Sequence, residues 1–256
     1  MLVIPLHPLL IFLIVLARVG GLVSFAPFWS HNAAPARVRA ILALMLALVI
    51  TPIVQARLPT PPTDLIPFFV LLFGEVVIGI ALGFAGRIVL SALDMAAHVV
   101  GFQMGFSLAG TIDPATHAQT AAFGTIAQML GLLMLMTTNA HHWMLAAMVR
   151  SLLVVPVGSA TVSQGLIDLF IRLSADAIAV GVALAAPMII LLITVEFALA
   201  IAGRAAPQLQ IMILGFPIKI AVGLWLLGST LYFMPGAVHT LLGSMKSAMT
   251  RTLSLM

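Results

Sequence analysis

Four charged residues, Glu75, Asp94, Glu196 and Lys219, stand well inside runs of apolar residues, where a titratable group serves a proton relay, a substrate site or a buried ion pair. A relay requires a succession of complementary titratable groups, and the sequence offers none around Glu75 or Asp94. Glu196 and Lys219 instead match each other. In an antiparallel hairpin centred near Ala206, Glu196 lies ten residues before the centre and Lys219 thirteen after it. At about 1.5 Å per residue their heights differ by less than one helical turn, so the two charges reach each other. A paired charge in an apolar setting is far less costly than an isolated one.

Other chemistry is missing from the pattern. The seven His residues are His7, His31, His98, His117, His141, His142 and His239, and none forms the His-Glu-x-x-His pair that sets two metal ligands on one helical face. His141 and His142 are adjacent, about 100° apart around a helix, which suits a membrane-surface position beside Trp143 better than joint metal ligation. Gly105-Phe106-Ser107-Leu108 has the start of a serine-nucleophile motif, but Leu108 and Ala109 stand where the two versions of that motif require Gly. Cys is absent, which removes thiol catalysis, thiolate metal sites and disulfides together. There is no Gly-x-x-x-x-Gly-Lys-Ser/Thr loop, and Lys occurs only twice, so nucleotide hydrolysis is not expected here. The reading is a non-enzyme without cofactor or metal.

The surroundings of these residues indicate a membrane chain. Of 256 residues, 62% are hydrophobic and 7% charged, and the mean hydropathy is +1.24. A water-exposed surface cannot be built from that composition, whereas a bilayer or an enclosing assembly accommodates it. The net charge of +4 comes from 11 scattered Arg and Lys, with none of the clustering that nucleic acid requires. The first basic residue is Arg18, after the opening apolar run, so that run is expected to be a retained helix instead of a signal peptide.

The apolar runs are Pro8–Phe28, Ala40–Val54, Leu65–Gly86, Ile88–Ile112, Ala121–Met136, Ala177–Gly203 and Leu209–Phe233. They predict an all-α polytopic membrane protein built of helical hairpins. Ala40–Val54 is short for a span, and Ala121–Met136 reaches span length only if it continues through Trp143. Leu58-Pro59-Thr60-Pro61-Pro62 and Asp113-Pro114 separate elements. Between Leu65–Gly86 and Ile88–Ile112 stands only Arg87, which leaves one long bent helix or a tight hairpin. The Arg and Lys of successive connections do not alternate, so no topology emerges from charge. Buried charges then favour helices shielded by partner subunits over helices surrounded by lipid.

Small residues accompany the charges. Glu75, Gly79, Gly83 and Gly86 are spaced by four, four and three, on one helical face, and Asp94, His98, Gly101 and Gly105 share another. Gly79/Gly83 and Gly101/Gly105 are Gly-x-x-x-Gly pairs, which allow helices to approach closely. In the second half Glu196, Ala200 and Gly203 share a face, as do Gly215, Lys219 and Gly223. A second reading of these residues is a secondary transporter, in which Pro187 and Pro217 break two helices around a midplane site holding Glu196 and Lys219.

Several segments together resemble the FliR family of the flagellar protein-export gate and its injectisome counterpart SctT. They are Arg18-Val19-Gly20-Gly21, Ala26-Pro27-Phe28, Pro35-Ala36-Arg37-Val38-Arg39, Gly74-Glu75-Val76-Val77-Ile78-Gly79, Gly101-Phe102-Gln103-Met104-Gly105-Phe106-Ser107, Asp113-Pro114, Asn139-Ala140-His141-His142, Ala206-Pro207-Gln208-Leu209-Gln210 and Gly215-Phe216-Pro217-Ile218-Lys219. Each is weak alone, but in this order across nearly the whole chain they are specific. Asn139-Ala140 departs from a pattern in which Gly precedes the His pair, and Gln210 stands where Asn is frequent. The Gly-Phe-Pro-Ile-Lys form is closer to the flagellar branch than to the injectisome branch.

The resemblance implies a P-like part over about residues 1–175 fused to a Q-like helical hairpin and tail over about 176–256. It implies a subunit that joins P and Q subunits in a closed helical assembly, with the export-switch B and large A subunits nearby, at the flagellar basal body in the inner membrane. Unfolded flagellar proteins pass through that channel. It further implies a pore-closing loop at about Phe106–Thr120, including Phe106, Ser107, Leu108, Gly110, Ile112, Asp113 and Pro114. Subunit contacts are implied at Pro207, Gln208, Gly215 and Pro217. Gly105 and Gly110 would permit sharp bends in the loop, Asp113-Pro114 a turn, and Leu108 and Ile112 an apolar seal.

Overall fold

The computed structural model describes residues 6–29, 35–62, 64–105, 122–158, 163–205 and 211–255. Among them every regular element is helical: α1 (Leu6–Phe25), α2 (Ala36–Val54) with a 3-10 turn at Gln55–Arg57, α3 (Leu65–Gln103), α4 (Ala122–Thr137), α5 (Ala140–Val154), α6 (Gln164–Ala205) and α7 (Ile211–Leu255). Four stretches, His7–Phe25, Ala36–Arg57, Leu65–Gln103 and Gln164–Ala205, are long and apolar enough to cross a membrane.

The structure decides the points that the apolar runs leave open. Leu65–Gly86 and Ile88–Ile112 are not a tight hairpin, because α3 runs unbroken for 39 residues through Arg87. A lone Arg is a good helix former, so it interrupts the apolar pattern without interrupting the backbone. The Ala121–Met136 run does not continue through Trp143: α4 ends at Thr137, Asn139 takes a left-handed φ of 58°, and α5 begins at Ala140. Asn is among the few residues that adopt this conformation readily. Pro187 lies inside α6 and Pro217 inside α7, and both helices continue past them. The broken helices of the transporter reading are therefore not present. The Pro-rich stretch after Arg57 is non-helical and separates α2 from α3.

The chain forms two compact units, each assembled from separate stretches of sequence. The first comprises residues 1–89, 139–174 and 242–256. Its centre is α1, which buries Ile11, Ile14, Val15, Val19, Leu22 and Val23. Ile78, Leu82 and Ala85 of α3, Met144 and Met148 of α5, and Met245 and Met249 of α7 are also buried in this unit. Residues 90–138 and 175–241 make the second unit. In its core Val100 and Met104 of α3 meet Ala185, Met188 and Leu192 of α6, with Val222 and Leu226 of α7 packed alongside.

Candidate functional site

Within the first unit, Glu75 is fully buried, and so is the partner it finds, Arg18 of α1. Arg18 Nη2 is 2.5 Å from Glu75 Oε2 and Arg18 Nε donates to the same oxygen at 2.6 Å. The other carboxylate oxygen, Oε1, accepts the backbone N–H of Gly158 at 3.1 Å. Arg18 Nη1 donates to Ser151 Oγ at 3.4 Å, and Ser151 in turn donates to the Met148 carbonyl at 2.7 Å. One ion pair thus ties together α1, α3, α5 and the turn after α5, where Gly158 has a φ of +82°. Desolvating both charges is costly, and the arrangement holds because every oxygen of Glu75 has a donor. Arg18 was recoverable from the sequence as the first basic residue, followed as well as preceded by apolar residues and opposite in sign to the one acid in Leu65–Gly86. Ser151 and Gly158 left no such signal.

The glycines on the Glu75 face form a seam with α1. A Cβ on Gly79 would collide with the Arg18 carbonyl oxygen, and one on Gly83 would stand 2.8 Å from the Leu22 carbonyl oxygen. The contact is reciprocal: a Cβ on Gly21 of α1 would lie 2.5 Å from the Val76 carbonyl oxygen. Backbone meets backbone along this line, an approach only glycine permits. Gly86 faces a different element, with Met144 Cε of α5 3.0 Å from its Cβ position.

In the second unit, Lys219 Nζ is 3.0 Å from Glu196 Oε1. The expectation that both charges are buried needs correction. Lys219 is 19% exposed and Glu196 54%, because this chain leaves the α6 face around Glu196 uncovered. Ile193, Phe197 and Ala200 on that face are exposed as well. Gln103, at the end of α3, donates from Nε2 to Glu196 Oε2 at 3.2 Å. The next two residues are also seated on α7, for Met104 fills the space beside Gly223 and Gly105, at φ +89°, abuts the Phe216 ring. Gln103 appeared in the sequence only within a motif, without a chemical role.

The remaining candidates are more dispersed. Asp94 is half-buried and accepts from Gln128 Nε2 at 3.4 Å, while His98 is exposed with Nδ1 2.7 Å from the Asp94 carbonyl oxygen. Gly215 is buried against Leu199 and Pro217 is exposed. Phe106, Ser107, Leu108, Gly110, Ile112, Asp113 and Pro114 of the loop, together with Pro207 and Gln208, lie outside the described residues. The His141 and His142 rings have centroids 4.1 Å apart, and Lys246 Nζ sits 3.6 Å above the Trp143 ring. Among the described residues no three His, Asp or Glu side chains come together in a group able to hold a metal ion.

Among the described residues this geometry is that of a helical scaffold: the enclosed Arg18–Glu75 ion pair, a glycine seam, and the Lys219–Glu196 ion pair on an apolar face that the chain does not cover. Comparison with known proteins gives it a family. The model for bacterial export proteins, family 1, matches residues 9–245. The chain is 34% identical over 216 residues to the flagellar biosynthetic protein FliR of Escherichia coli (strain K12), covering 84% of this chain and 81% of that protein. It is 32% identical over 218 residues to the flagellar biosynthetic protein FliR of Caulobacter vibrioides, at 85% and 87% coverage. Similarity extends to the Yop proteins translocation protein T of Yersinia pestis, 30% identical over 184 residues, with 71% of this chain and 70% of that protein aligned. With a match that spans nearly the whole chain and relatives that align over most of their own length, the chain belongs to family 1 of the bacterial export proteins.

Proposed function

We propose that this chain is a subunit of a flagellar type III protein export gate, forming with P and Q subunits the inner-membrane channel for unfolded flagellar proteins. The observation that carries the subunit reading is Glu196, 54% exposed on a face whose neighbours are apolar. A charge turned toward lipid costs about 2.5–3.5 kcal/mol even on the mildest scale, and water does not suit Phe197 and Ile193. A neighbouring protein helix satisfies both. Similarity to the flagellar biosynthetic protein FliR supports the flagellar branch.

In this reading the P-like part covers about residues 1–175 and the Q-like hairpin and tail about 176–256. Pro207, Gln208, Gly215 and Pro217 contact other subunits, and Phe106–Thr120 contributes to closing the pore. The export-switch B and large A subunits are further partners, and the complex sits in the inner membrane at the flagellar basal body. The chain itself performs no catalysis and binds no cofactor. The injectisome is the second reading, favoured by the similarity to the Yop proteins translocation protein T.

The test is deletion of the gene, scored by swarming and filament assembly, combined with pull-down of the tagged chain. Loss of filaments, restored by the intact gene, and recovery of P and Q subunits with the tag are the expected results. A chain purified as a stable monomer or homo-oligomer from cells that swarm normally without it overturns the proposal.

A further inference from the structure

The last stretch of α7 differs from the other long helices in what it exposes. On α2 and α6 large apolar residues are exposed, among them Leu44 and Leu48 of α2 and Ile193 and Phe197 of α6. From Met245 onward the pattern reverses. Met245, Ala248, Met249, Thr252 and Leu253 are buried, at intervals of three, one, three and one, so they form a single stripe along the helix. Ser244, Ser247, Thr250, Arg251 and Ser254 are exposed, and every one is polar. The hydroxyls of Ser247, Thr250 and Ser254 donate to carbonyls three or four residues back, and the buried Thr252 hydroxyl donates to the Ala248 carbonyl at 2.9 Å. The stripe is thus covered within the chain, and a polar side is turned outward.

Contacts at both ends fix this stretch to other elements of the first unit, to which residues 242–256 belong. Lys246 Nζ lies over the Trp143 ring of α5, a cation–π contact. At the other end the Ser163 hydroxyl donates to the Leu255 carbonyl at 2.8 Å and accepts the Leu166 backbone N–H at 3.2 Å. Carbonyls at a helix end have no partner within the helix, and Ser163 stands just before α6, so one hydroxyl serves the end of α7 and the start of α6 together. A Cβ on Gly165 would lie 3.2 Å from Leu255 Cδ2, which shows how closely the two meet. Ser163 also ends the connection that leaves α5 at the buried Val155 and includes Gly158, the donor to Glu75 Oε1.

In sequence, residues 242–255 follow every stretch of the second unit. A unit made of one continuous stretch can fold as it is synthesised, whereas the first unit lacks this stripe until residues 90–138 and 175–241 have been made. We infer that residues 242–255 are a closing strap. The first unit stays open at α5 and at the first turn of α6 until the strap docks, and docking fixes the connection that brings Gly158 to the buried carboxylate of Glu75. The inference stands on contacts within the first unit and is independent of the export-gate reading.

The sequence contains no Cys, so single reporters can be placed in the full chain: Ala248→Cys on the stripe, Val155→Cys in the connection and Ala185→Cys in the core of the second unit, all at buried positions. Each is combined with Leu253→Asp, which sets a charge on the buried stripe, or with Ser254→Asp, which sets the same charge on the exposed side. The rate of labelling by N-ethylmaleimide is then followed. Without an added Asp, and with Ser254→Asp, all three reporters should label slowly. Leu253→Asp should speed labelling of Ala248→Cys and Val155→Cys roughly tenfold or more and leave Ala185→Cys slow. If Val155→Cys stays protected while Ala248→Cys reacts, the strap closes nothing and the inference is wrong. Fast labelling of Ala248→Cys without an added Asp, or slow labelling with Leu253→Asp, equally overturns it. So does exposure of all three reporters by Leu253→Asp, because the segment then supports the whole chain instead of closing one unit.

Discussion

Arg18 and Glu75, 57 positions apart in sequence, form an ion pair in which both side chains are 0% exposed. Removing one member leaves an uncompensated buried charge, at about 3–5 kcal/mol, whereas replacing both with apolar residues of similar volume is nearly neutral. Arg18→Leu should therefore lower the steady-state level and thermal stability of the chain sharply, and Arg18→Met with Glu75→Leu should recover most of the loss. A double variant as unstable as the sum of the singles would show that the two residues act independently.

The glycine seam separates positions by what lies opposite them. Gly79→Ala drives a methyl group into the Arg18 carbonyl, while nothing lies within 4 Å of a Cβ on Gly20, in the same α1–α3 region of the sequence pattern. Overpacking against backbone costs about 1–3 kcal/mol or more, and an unhindered helical Gly→Ala gains up to ~1 kcal/mol. Melting temperature should fall for Gly79→Ala and for Gly83→Leu, hold or rise for Gly20→Ala, and change little for Ile80→Leu. Equal behaviour of Gly79→Ala and Gly20→Ala would remove the seam from the account.

For Lys219 and Glu196, exposure predicts a division between folding and assembly. With Glu196 54% exposed, the pair contributes at most about 1 kcal/mol to the isolated chain. Lys219→Ala should leave the melting temperature of the chain almost unchanged yet reduce co-purification with other subunits, where the carboxylate becomes enclosed. Joint replacement of Glu196 and Lys219 with apolar residues should restore part of the yield. Unaltered subunit recovery from Lys219→Ala would count against an enclosed carboxylate.

If Phe106–Thr120 closes the pore, shortening the chain within Leu108–Ala118 should leave assembly intact and raise ion and small-solute leakage, since a closure contributes to the shut state more than to the scaffold. Dye uptake and growth inhibition on overexpression, against an intact control, measure this. An assembled gate without extra leakage would assign the closing role elsewhere.

The sequence by itself determined the class of the protein and much of its local order. In an apolar setting helices and closed barrels satisfy the backbone, long apolar runs without a strand's alternation point to helix, and the Pro-rich stretch after Arg57 ends one where the structure ends it. The Glu196–Lys219 pairing could be counted from the sequence because few residues separate the two apolar runs that carry them, which limits their relative register. Three matters belonged to the tertiary structure. A single Arg between two apolar runs is compatible with helix or turn, so only packing shows that α3 continues through Arg87. A face of Glu75 and glycines states that something must approach closely, but which helix does so depends on contacts between distant segments, and it is α1 that brings Arg18. Exposure is likewise a property of the assembled chain: apolar surroundings in sequence suggest burial for Glu196, yet burial is decided by what packs against its face, and this chain leaves that face uncovered.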